Sequence, residues 1–122
     1  MRDAGQYYGE KQGNLDKALG YFNESWKLND QDPQTARLMG VALGIKAQME
    51  TAKGNAAQAL PLNREALGWF QKAIALAPKE ASYYFDLGTA YYNLGDRVQA
   101  NTYHQKAMEM DPKLRQRYEG KK

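Results

Sequence analysis

The side chains in this sequence that could do chemistry are few. It has one histidine, His104, and no cysteine, so thiol catalysis and Cys-His metal sites are excluded and a serine triad would have to be built on that one imidazole. Asp30 and Asp32 are spaced like the opening of a calcium loop, but the glycine and the closing glutamate of such a loop are missing. Asp32 followed by Pro33 reads instead as a helix start, with a capping carboxylate and a first-turn proline. Gly40 and Gly44 have the spacing of paired membrane helices, yet charged and amide residues flank them closely, so close packing of helices in water is the simpler account. No strand pattern precedes any glycine-rich run, which removes a phosphate loop. The spacing points away from catalysis, with no cofactor, metal site or small-molecule substrate expected.

Charge and length bound the remaining possibilities. At 122 residues the chain is one domain with enough material for a core. The net charge of +3 is unevenly placed. From Lys113 to Lys122 five basic residues face one glutamate, a net of +4, so residues 1–112 carry −1. The basic character belongs to a tail, and a nucleic-acid partner is not expected. No apolar run is long enough for a membrane span, and no targeting signal is legible; cytoplasmic and periplasmic settings both fit.

The elements that must position any site are helical. From Ala81 to Pro112 two amphipathic stretches meet at Gly95-Asp96. Tyr84, Leu87, Gly88 and Tyr91 recur at three- and four-residue steps and share one face. Gly88 permits close helix approach, Gly95 suits a left-handed helix end, and Asp96 suits the following cap. Ala100 and Ala107 lie two turns apart, and Pro112 ends the unit. The order aromatic, Leu-Gly, Tyr, Ala, Ala, Pro resembles a tetratricopeptide (TPR) repeat, with His104 in the slot where that family usually carries an aromatic.

The same turn signature recurs upstream. Gly54-Asn55 precedes Ala59, and Gly13-Asn14 precedes Ala18, at the five-residue offset that separates Gly95 from Ala100. The resemblance therefore implies an all-α, right-handed superhelical stack of about three hairpins, over residues 1–32, 33–80 and 81–112. The basic tail 113–122 is expected to form a thin cap through Leu114 and Tyr118. The first unit keeps a stripe from Leu15 through Phe22 and Trp26 to Leu28, but residues 1–12 offer only Tyr7 and Tyr8 in place of the aromatic-Leu-Gly pattern, as expected for a piece of a longer array. The middle unit, with Met39-Gly40 in the Leu-Gly slot, is longer: both helices are expected to carry seven extra residues, about two turns, projecting a tip about 10 Å beyond its neighbours. Pro61 either kinks the second of these helices or marks a late start near Leu60.

In TPR arrays the first helices of successive units line a concave groove that holds a partner segment. By resemblance, the groove here is formed by Arg37, Val41, Ile45, Phe85, Thr89, Tyr92 and Asn93, beside Gln34, Gly44, Ser82 and Asp86. Phe85 and Asp86 occupy slots where the carboxylate-clamping subgroup uses cations or amides, so a clamp on a terminal carboxylate is disfavoured. Of the tyrosine pairs Tyr7-Tyr8, Tyr83-Tyr84 and Tyr91-Tyr92, one member each is expected to pack and the other to face a groove or subunit. The implied function is a non-catalytic protein-interaction scaffold. The alternative is self-association into a homodimer through the extended middle hairpin, whose Ala47, Met49, Ala52, Ala56, Ala57, Leu60 and Leu62 would meet a second copy.

Overall fold

The computed structural model describes the backbone of residues 4–114 and the side chains of residues 13–114. Tyr7, Tyr8, Tyr118 and most of the basic tail, with the readings placed on them, lie outside the described side chains. Among the described residues five helices follow one another: α1 (Ala4–Leu28), α2 (Pro33–Ala52), α3 (Ala56–Leu76), α4 (Ala81–Asn93) and α5 (Arg97–Met110). Each packs on the next in chain order, giving an all-α superhelical stack in which α2–α3 and α4–α5 are hairpins.

Both hairpins close in the same way. Gly54 and Gly95 adopt φ of 87° and 86°, a conformation that costs a side-chain-bearing residue about 1–2 kcal/mol. Around Gly54 the amides of Gly54 and Asn55 bond to the carbonyls of Thr51 and Glu50 at 3.0 and 2.8 Å. Around Gly95 the amides of Gly95 and Asp96 reach Tyr92 and Tyr91, both at 3.0 Å. This paired pattern satisfies carbonyls that a helix end leaves open. Asp32 and Asp96 then act as expected, accepting from the amides of Gln34 and Gln99 at 3.0 and 3.1 Å. Asn55 does not cap; its amide donates to Glu50 at 3.1 Å, and Lys53 pairs with the same carboxylate at 3.5 Å, which ties the tip shut.

The middle hairpin is lengthened as its sequence indicates. Helices α2 and α3 have 20 and 21 residues where α4 and α5 have 13 and 14, seven more in each. The helix containing Pro61 starts at Ala56, so the late start does not occur. The proline removes the amide that would have bonded to the Ala57 carbonyl, at a residue that is exposed.

Four readings are corrected. Residues 4–28 form one unbroken helix, so Gly13-Asn14 is not a turn and the described part of the first unit is a helix rather than a hairpin. Gly13 has no positive φ. The physical reason lies in the neighbour: α2 runs two turns further than α4, and Asn14 and Leu15 share a cavity with its Ile45 and Met49. A helix that keeps a surface to pack on gains more by continuing than by turning back onto a segment without an apolar seam. Leu28, read as the end of the helical stripe that begins at Leu15, is 89% exposed at the end of α1. Tyr83 and Tyr84 are both buried, because the start of α4 is covered on two sides. Tyr83 packs with Ala36 and Ala73, and Tyr84 with Ala107 and Leu114. The pair Tyr91-Tyr92 does divide, Tyr91 packing into the core while Tyr92 is exposed.

Ala36, Ala47, Ala73, Ala100 and Ala107 are almost completely buried and set the close helix spacing. Between them sit Leu43, Phe70 and Leu87. Trp26 meets Trp69 edge-on at 5.1 Å, joining α1 to α3, with the Lys72 ammonium 4.1 Å from the Trp69 ring. After α5, Asp111 accepts from the Lys113 amide at 3.1 Å, Pro112 starts a further turn over residues 112–114, and Leu114 is buried against the last hairpin.

Candidate functional site

The lengthened hairpin creates a step, and the step creates a groove. Helix α4 ends at Asn93 while α2 and α3 run on past it. Between α2 and α4 lies an open pocket of about 190 Å³. Its floor is Gly40, Ala66, Phe70 and Ala90, and its walls are Val41, Gly44 and Ile45. Its rim is polar: Gln48, Asn63, Asp86, Thr89 and Asn93. A second, shallower depression of about 340 Å³ continues along the step past Ala47 and Thr51 to Tyr92, sharing Gln48, Asn63 and Asn93.

Of the seven groove residues read from the sequence, Val41, Ile45, Thr89 and Asn93 meet in the first pocket. Tyr92 lines the second, with the Arg97 guanidinium 6.0 Å from its ring. The other two are engaged elsewhere. The Arg37 Nε donates to Asp86 Oδ2 at 2.8 Å, linking α2 to α4, so Arg37 is an ion-pair partner within the fold and not an unpaired cation. Burial pushes the Asp86 carboxyl upward from its ordinary value, and the charge and hydrogen bond of Arg37 oppose that shift. Phe85 turns toward α5, where its ring stacks on His104 at 4.3 Å.

His104 is therefore a packing residue. Its place in α5 corresponds to that of Phe70 in α3: both lie four residues after a buried alanine and three before another. A methyl group on Gly40 would lie 2.7 Å from the Phe70 ring, and one on Gly88 would lie 2.5 Å from the His104 ring. Each glycine thus seats the ring of its own hairpin. The seam of the last hairpin is further lined by Tyr103, stacked with Tyr91 at 5.6 Å and Tyr84 at 6.5 Å.

Several residues that line the groove were not read as such from the sequence. Gln48, Asn63 and Phe70 lie in the lengthened or second helices, and helix-pair logic assigns the groove to first helices alone. The seven-residue lengthening is the signal that could have found Gln48 and Asn63, since it carries both past the end of α4. The Arg37–Asp86 pair had no signal in spacing, because 49 residues separate its partners. Among the described residues no group of His, Asp or Glu is arranged to hold a metal ion, and no helix is long and apolar enough to cross a membrane.

Comparison with known proteins agrees with the repeat pattern. The sequence profile described as Tetratricopeptide repeat matches residues 38–113, more than half of the chain. No curated protein sequence matches. Among solved structures, one titled "Crystal structure of MamA" aligns over 92% of this chain and 77% of that one, at 20% identity and a TM-score of 0.40.

Proposed function

The chain belongs to the tetratricopeptide repeat family, and on that premise we propose that it is a non-catalytic scaffold holding a peptide or protein segment in the groove between α2 and α4. The observation that carries this reading is the composition of the groove. An apolar floor is rimmed by the amides of Gln48, Asn63 and Asn93, which supply uncharged donors and acceptors for a partner's main chain, while the Asp86 carboxylate on the same rim is held by Arg37.

The self-association reading has less to stand on. Of the apolar residues at the tip, Ala47, Met49 and Ala59 are 1%, 6% and 4% exposed, so the hairpin and α1 already use them. Leu60, at 41%, is the large apolar side chain left on the outside of the tip. One leucine among alanines offers little area against what a stable dimer needs.

Affinity capture from the source organism tests the reading, comparing the wild type with Ile45→Asp/Asn93→Arg in the groove and with Leu60→Asp at the tip. Captured proteins are expected to be lost with the groove variant and kept with the tip variant, all three being helical by circular dichroism. The opposite pattern, together with a dimer mass that Leu60→Asp halves, would replace the groove with the tip.

A further inference from the structure

Gly44 sits in the middle of α2, where a glycine costs about 1 kcal/mol of helix stability relative to alanine. Nothing in the fold accounts for it. Its φ is not positive, and a Cβ built on it meets no atom within 4 Å. Gly40, one turn earlier, is different, because the Phe70 ring occupies the space its side chain would need. In the last hairpin the position equivalent to Gly44 is Tyr92, four residues after Gly88 as Gly44 follows Gly40. One unit thus fills this slot with a large ring and the other leaves it empty, and the empty slot forms part of the wall of the 190 Å³ pocket.

We propose that the space beside Gly44 is an anchor pocket for one uncharged, apolar side chain of a partner peptide, branched aliphatic or single-ring, and that Gly44 is the residue that sets this specificity. The inference rests on the groove reading above and narrows it to a class of partner. Size supports it: cavities of about 150 Å³ with aliphatic and aromatic walls accept benzene, so the pocket has room for one such group. Charge supports it too. The ionisable group on the rim, Asp86, is neutralised by Arg37 at 2.8 Å, so a charged partner side chain would be desolvated there with no counter-charge to meet it. Where the pocket runs on into the second depression, Asn63, Gln48 and Asn93 offer amides that can accept from and donate to extended main chain.

The probe is a phage-displayed library of random dodecapeptides selected on the wild-type protein, followed by synthetic peptides measured by calorimetry. The expected consensus has a single Leu, Ile, Met or Phe among uncharged residues. Changing that residue to Asp should weaken binding by about tenfold or more. Gly44→Leu, whose Cβ meets no neighbour and whose side chain would occupy the pocket, should have a similar effect, and Gly44→Ala a much smaller one. The peptide-side change tests the pocket even if Gly44→Leu does not fold. Selection of acidic peptides, selection of no peptide, or equal affinity for wild type and Gly44→Leu would overturn the proposal. If Gly44→Leu is neutral while Ile45→Asp/Asn93→Arg abolishes peptide binding, the anchor falls and the groove stands. If neither variant matters, both fall.

Discussion

The imidazole of His104 lies flat against the ring of Phe85, with centroids 4.3 Å apart, and its Nε2 is 3.1 Å from the Thr89 hydroxyl. Thr89 in turn donates to the Phe85 carbonyl at 3.2 Å, leaving its oxygen to accept from the ring. The last hairpin is therefore closed by a titratable ring in a slot that the middle hairpin closes with Phe70.

This makes the last hairpin sensitive to acid. Burial lowers the His104 pKa below its ordinary value, with a hydrogen bond to the Phe85 backbone acting in the opposite direction. The folded state thus favours the neutral ring. Its contribution is present above the ordinary imidazole value and is lost as pH falls through the lowered one. Thermal unfolding of the wild type is expected to shift downward between about pH 7.5 and about pH 5, and the shift should shrink in His104→Phe. An identical pH profile in the two proteins would refute it.

Gly88 should tolerate no side chain. An added Cβ would lie 2.5 Å from the His104 ring and 3.0 Å from the backbone carbonyl of Ala100, which cannot move aside cheaply. Gly88→Ala is expected to cost about 1–3 kcal/mol in urea unfolding despite its better helix propensity, and Gly88→Leu more. Wild-type stability in the leucine variant would be incompatible with this seam.

The glycines of the three turn-like signatures should respond in opposite directions. Gly13 is helical with open space around it, so Gly13→Ala is expected to stabilise by up to about 1 kcal/mol. Gly54→Ala and Gly95→Ala must adopt a positive φ and should each cost about 1–2 kcal/mol. Chemical denaturation decides the matter, and a loss of stability in Gly13→Ala would mean that α1 is broken there.

Arg37 and Asp86 should couple energetically. Their side chains are 32% and 20% exposed, between a surface pair and a buried one. A double-mutant cycle of Arg37→Ala and Asp86→Ala is expected to give a coupling of about 1 kcal/mol. Additive single effects would show that the 2.8 Å contact contributes nothing to holding α2 against α4.

Groove variants need to be chosen with this packing in mind. Phe85, although read from the sequence as a groove residue, supports the α4–α5 seam, and Phe85→Ala is expected to lower the unfolding midpoint. Tyr92→Ala removes a ring that is 57% exposed and should leave the midpoint nearly unchanged. A matching loss in both would contradict the division between seam and step.

Much of this architecture is written locally. The caps at Asp32 and Asp96, the left-handed glycines at 54 and 95, the alanine spacing and the seven-residue lengthening are relations between residues close in sequence. A helix carries them as periodicity, so the order of residues is enough to show them. The groove residues came instead from the resemblance to the repeat family, and Val41, Ile45, Thr89 and Asn93 among them line the pocket between α2 and α4.

What the sequence could not settle depends on what a neighbouring helix offers. Whether Gly13 turns depends on how far α2 extends beside it, and a glycine-asparagine pair is compatible with either outcome. Tyr83 is buried because α4 is covered on both sides at its start, a fact about three helices at once. Arg37 became the partner of Asp86, and Asn63 reached the groove, through the offset between a long hairpin and a short one. Local caps and turns fix most helix ends; the burial of one face against another, summed over the stack, decides whether a glycine turns and which side chains remain for a partner.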